Sequence, residues 1–151
     1  MKARLNPYQA AAETMKAVAA IEPIIKASGL DPALVELVKI RASQINGCAY
    51  CIHMHTRDAR AQGESEERLY LLDAWRESPL YTEKERAALA WTEALTLISQ
   101  THAPDDVYEA LRAQFSETEV VNLTVLIGVI NTWNRVAIGF RSQHPVKAKA
   151  A

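Results

Sequence analysis

Three features of the sequence predict an all-α, single-domain fold. Helix-start signals recur along the chain, among them Asp31-Pro32, Thr82-Glu83-Lys84-Glu85 and Ser116-Glu117-Thr118-Glu119. Apolar residues return at helical spacing, whereas the two-residue alternation of half-buried strands is nearly absent. The 151 residues, 49% hydrophobic and 23% charged, suffice for one packed core without a disulfide staple. No repeat, linker or low-complexity stretch divides them. One domain over 1–151 follows, with its core at about 20–142 and a flexible tail at 143–151.

The elements follow in order. Pro7 starts a first helix towards Ala27, bent at Pro23 and ended by Ser28-Gly29. Asp31 caps a second helix whose first residue is Pro32 and which runs to about Gln44, with Leu34, Leu37 and Val38 at helical spacing. Asn46-Gly47 is a break, Cys48 opens a third helix, and Gly63 closes it. Ser65 starts another, through Leu69, Leu72 and Trp75 to Ser78-Pro79. Thr82 begins a helix to about Gln100, Pro104 a short one to Phe115, and Glu117 a long one to about Phe140. That last helix is apolar nearly all round, which predicts burial on several sides, with Gly128 as a point of close backbone approach. Trp75, Trp91 and Trp133 fall at core-like positions.

Charge and hydropathy exclude several functions. Net charge is −1, with Lys and Arg scattered, which argues against nucleic acid as a partner. Glu13, Lys16, Glu22 and Lys26 interrupt residues 2–28, so no signal-peptide core is expected there. The most apolar run, Val120 to Ile130, contains Asn122 and Thr124 and is too short to span a bilayer. A soluble cytoplasmic protein with no membrane partner is expected. In that compartment a lone Cys-x-x-Cys is more often catalytic or metal-binding than a permanent disulfide.

The chain's two cysteines form such a motif: Cys48-Ala49-Tyr50-Cys51, followed by Ile52-His53-Met54-His55. On an ideal helix Cys48, Cys51 and His55 fall within an arc of about 60°. Cys51 and His55 are one turn apart, and both cysteines occupy the first turn, where free N–H groups and the helix dipole favour an anion. Both effects push thiol towards thiolate. Cys51, with the base one turn away, is expected to be the nucleophile and Cys48 its resolving partner. Glu36 lies twelve residues before Cys48 on the preceding helix. Folded back at Asn46-Gly47, that helix brings the carboxylate to orient His55 or accept a proton; the alternative is a solvated Glu36 paired with Lys39 or Arg57.

Blander readings stand beside this one. Two buried cysteines can fall three apart by chance. Zinc is conceivable on Cys48, Cys51, His55 and Glu36, but the second close-spaced ligand pair of structural zinc is missing, so no metal or other cofactor is expected. His53 reads as a surface residue, His102 and His144 as inert loop histidines, and Tyr50 as packing that could lend a hydroxyl to the site.

Glu36, eleven residues, then Cys48-x-x-Cys51-x-x-x-His55 resembles the signature of the alkylhydroperoxidase D-like branch of the carboxymuconolactone decarboxylase family. The stretch from Leu34 to Cys48 is similar along its length, and Asn131-Thr132-Trp133-Asn134-Arg135 looks like the family's Asn-Arg ending, so the resemblance spans about 20–142. It implies an all-helical homo-oligomer, often a hexamer, and an antioxidant thiol-peroxidase cycle. In that cycle Cys51 is the peroxidatic cysteine and reduces hydrogen peroxide or an organic hydroperoxide. Cys48 closes the disulfide, an external dithiol restores both, and Glu36 and His55 relay protons. Alkylhydroperoxidase D itself has a histidine between the cysteines where this chain has Tyr50. The decarboxylase branch generally lacks the dithiol, so its activity is the weaker transfer. Two other functions remain: a thiol–disulfide exchange protein acting on another protein, and a redox-sensing oligomeric scaffold without catalysis.

Overall fold

Asn6 caps the first helical turn and Pro7 begins it, but the long N-terminal helix expected from Pro7 to Ala27 is broken twice. The computed structural model, which describes residues 2–146, has α1 (Pro7–Ala10), α2 (Ala12–Ala19) and α3 (Ile21–Lys26) in its place. Ala11 leaves helical geometry at φ −145°, ψ 60°. α1 buries no side chain and α2 only Met15, so no packed face holds one long helix together. Of the tail expected to be flexible, Lys147-Ala148-Lys149 and the two residues after them lie outside the described residues.

From α4 onward the starts expected from sequence hold and the ends shift. α4 (Pro32–Asn46) begins where the Asp31 carboxylate accepts from Ala33 N, and it ends at Gly47, whose φ of 69° is left-handed. α5 (Ala49–Ala61) follows at once. α6 (Glu66–Leu71) tightens into a 3₁₀ turn, Leu72–Ala74, well short of Ser78. α7 (Glu83–Thr96) has the expected capping box, but Leu97 breaks the helix and a separate turn, α8 (Ile98–Thr101), completes the stretch. Then come α9 (Asp105–Arg112) and α10 (Glu117–Phe140), which starts on a second capping box at Ser116. No strand occurs among the described residues.

α4 is the central element, packed against α5, α7 and α10. On one side Leu34 and Val38 meet Trp91, Leu111, Leu123 and Ile127; on the other Leu37 and Ile40 meet Leu72, Trp75 and Leu89. Glu93 on α7 ties these layers by accepting from Arg41 Nε at 2.9 Å and Trp75 Nε1 at 2.8 Å. α10 is long and apolar enough to cross a membrane, with a mean hydropathy of 1.3 over its most apolar window. Here its inner faces are core: Leu123, Leu126, Ile127 and Ile130 are essentially inaccessible. Burial does not extend all round, because Val121, Val125, Gly128 and Thr132 form an exposed outer stripe. The close approach expected at Gly128 is absent, since a Cβ there would meet nothing within 4 Å.

Candidate active site

The turn at Gly47 sets the site. α4 and α5 fold back on each other across it, with Cys48 N donating to Ser43 O at 2.9 Å. Cys48 is not inside α5 but is its N-cap, at φ −85°, ψ 91°, and its sulfur accepts from Cys51 N at 3.4 Å. The two sulfurs lie 2.6 Å apart, both free thiols and both buried, at 1% and 2% exposure. Ile130 and Ala137 of α10 and Ala42 of α4 enclose them.

One turn along α5, buried His55 faces buried Glu36, with Nδ1 2.8 Å from the carboxylate. A carboxylate only accepts, so Nδ1 carries the proton and Nε2 is the exchangeable nitrogen. The solvated alternative for Glu36 is not realised: Lys39 pairs with Glu22 at 2.8 Å and Arg57 with Asp58 at 3.0 Å. Glu36 and His55 converge with Asp58, within 4.8 Å of one another, while the sulfurs pair with each other.

Charge within the dithiol is unequal. The hydrogen bond with Cys51 holds the Cys48 thiol down at about 7 against the opposing effect of burial; the backbone N–H of Cys51 and the Asn134 side chain add to it. The Cys51 thiol is pushed up by its contact with Cys48 and by burial. Helix position and His55 were expected to favour thiolate on both cysteines. Across the 2.6 Å sulfur contact the two differ instead: Cys48 is the more easily ionised thiol and Cys51 the less.

Cys51 and His55 line a cavity of about 540 Å³; Cys48 does not. Tyr50 and Met54 of α5, Trp133 and Val136 of α10, and the Lys39–Glu22 pair are among its walls, and the N-terminal segment also lines it, through residues such as Leu5 and Tyr8. Arg4 holds that segment by giving two hydrogen bonds to the end of α10, to Phe140 O and Gly139 O. Trp133, expected in the core, is a wall residue here, and its Nε1 donates to Glu22 at 3.1 Å. Tyr50 is half-buried against the same cavity. His53 is half-buried rather than a surface residue and stacks on His144, centroids 4.7 Å apart, while His144 lies outside any helix, as expected. His102 is exposed, at a positive φ of 53°.

Sequence reasoning did not count Lys39, Glu22, Trp133 and Asn134 among the site residues. Trp133 and Asn134 carried a signal, since both lie in the Asn131–Arg135 segment, but nothing in it pointed to the dithiol.

The sequence profile of the carboxymuconolactone decarboxylase family matches residues 9–94, which take in Glu36, both cysteines and His55. The chain belongs to this family. Its relatives include an uncharacterised protein of Bacillus subtilis, YdfG, 44% identical over 138 residues, which are 91% of this chain and 94% of that one. Among solved structures, an Agrobacterium tumefaciens protein of unknown function, assigned provisionally to antioxidant defence as AhpD, is 54% identical with a TM-score of 0.94. The match covers 97% of this chain and all of that one. An AhpD-core, peroxidase-related protein of Ralstonia eutropha shares the fold at 18% identity and a TM-score of 0.80, covering 91% of this chain and 74% of that one. These neighbours put the decarboxylase-family chain in the alkylhydroperoxidase D-like branch.

Proposed function

We propose that this family member is a thiol peroxidase that reduces hydrogen peroxide or an organic hydroperoxide through a Cys48/Cys51 dithiol–disulfide cycle. The observation that carries the reading is the position of Cys51: at the cavity wall beside His55, with its sulfur 2.6 Å from that of Cys48. A proton shift across that contact moves the anion to Cys51, the sulfur a substrate in the cavity can reach. The Cys51 thiolate attacks the terminal peroxide oxygen; an S–O bond forms, the O–O bond breaks, and the leaving oxygen takes a proton through His55. Cys51 is then a sulfenic acid. Cys48 attacks its sulfur, the hydroxyl leaves with a proton as water, and a disulfide remains. The two electrons given to the peroxide are returned by an external dithiol, and no metal, haem or flavin enters the cycle.

Burial bears on the rival readings. A protein disulfide would have to reach sulfurs that are only 1–2% exposed, which favours a small substrate over thiol–disulfide exchange with a folded partner. We also propose that the protein works in the cytoplasm as a homo-oligomer, a hexamer, with the exposed α10 stripe covered by a second copy. The decisive experiment is peroxide consumption with a panel of dithiol reductants. Wild type should turn over, Cys51→Ser should not, and Cys48→Ser should reduce one equivalent and accumulate a sulfenic acid. A sulfenic acid trapped on Cys48 in Cys51→Ser would reverse the roles, and absence of consumption with every reductant would overturn the reading.

A further inference from the structure

On the α10 side the dithiol packs with Ile130 and Ala137, and Asn134, which falls between them on the same face, is fully buried. A side chain so placed keeps its polar atoms only if each is bonded. The bonds here are directional. Asn46 Nδ2 donates to Asn134 Oδ1 at 2.9 Å and to Asn131 Oδ1 at 2.9 Å, and Arg135 Nη1 also donates to Asn131 Oδ1, at 3.0 Å. Because Oδ1 of Asn134 is the acceptor, its amide orientation is fixed and Nδ2 faces the other way. There one hydrogen goes to Ser43 Oγ at 3.0 Å, and Ser43 spends its own hydrogen on Lys39 O at 2.7 Å. Ser43 also binds the dithiol turn, its carbonyl accepting from Cys48 N at 2.9 Å, so the amide that it holds stands beside the sulfurs with its second N–H.

We propose that Asn134 is a positioning residue whose Nδ2–H group, aimed by Asn46, holds the sulfur anion of the reduced dithiol. An amide N–H binds a thiolate more strongly than a thiol and has no anion to bind in a disulfide. Asn134 therefore favours ionisation and also stabilises the reduced pair, which makes the disulfide easier to reduce. Its effect as a donor lowers both thiols. The other titratable or charged groups around the pair are Tyr50 and His55 on α5, Glu36 and Lys39 on α4, Glu22 on α3 and, through Asn131, Arg135 on α10. All stay in place when Asn134 is changed. The consequence for turnover rests on the peroxidase reading; the ionisation itself does not.

The test is thiolate absorbance against pH, together with the redox equilibrium against a reference dithiol, in Asn134→Leu, Asn134→Ser and Asn46→Ala. Asn134→Leu should raise the ionisation midpoint by about one pH unit and make the disulfide roughly tenfold harder to reduce, about 30 mV. Asn134→Ser keeps a donor and should recover part of both. Asn46→Ala frees the amide to turn and should shift both the same way by less. A wild-type titration in folded Asn134→Leu overturns the proposal. If that variant does not fold, a wild-type titration in Asn46→Ala overturns it. Shifted titrations without any peroxide consumption would sink the peroxidase reading and leave the role of Asn134 standing.

Discussion

Glu36 and His55 act at the residue scale as one unit, since a single 2.8 Å hydrogen bond joins two buried side chains. Glu36→Gln and His55→Ala should each slow peroxide reduction, by up to the ~10²–10⁴-fold typical of acid–base groups. The double variant should be little worse than either, which stopped-flow rates across pH will show; fully additive losses would mean two separate roles. The Cys48 thiol gives a pH prediction. Its folded value of about 7 is depressed, so thiolate is present above that pH and is lost as pH falls through it. Cys51→Ala removes the first cause of the depression. Thiolate absorbance at pH 7 should then fall and the midpoint move towards the ordinary thiol value of 9.0. Cys48, Cys51, His55 and Glu36 were legible because sequence spacing and one glycine turn bring them together. Glu22, Trp133 and Asn134 were not, because they come from α3 and α10, and only the tertiary packing of those helices on α4 and α5 carries them to the dithiol.

Gly47 is the residue on which the α4–α5 element depends. At φ 69° it ends α4 and hands the chain to Cys48, the N-cap of α5. Gly47→Ala puts a Cβ in left-handed backbone, a cost of roughly 1–2 kcal/mol, though no atom lies in the way. Thermal unfolding should show a lowered Tm, and the dithiol's ionisation should shift as the N-cap geometry relaxes. An unchanged Tm would mean that the turn has another conformation of equal energy. Caps explain which elements could be read in advance. Asp31, Thr82 and Ser116 each hold an orphan N–H of their helix, and those starts agree with the sequence. The N-terminal helix failed because its first half has little to pack on: α1 buries no side chain and α2 only Met15, while α3 is held to the core by Ile25; α7 ended early, at Leu97.

For the whole molecule, the exposed stripe of Val121, Val125, Gly128 and Thr132 on α10 is the apolar surface that a second copy would cover. Light scattering at micromolar concentration should give a hexamer, and Val125→Glu should shift it to smaller species; a monomeric wild type would sink the assembly. Helical class and the family branch were legible from sequence because helix starts and the glutamate–dithiol–histidine spacing are local signals. The cavity was not, since the N-terminal segment, α5 and α10 come together to line it only in the folded chain. If Cys48 and Cys51 are one redox centre, the intact mass after one equivalent of peroxide shows it without any assumption about the reductant. The expected change is loss of two hydrogens within a single chain and no crosslink between chains. A stable sulfinic acid on Cys51 with Cys48 still free would contradict it.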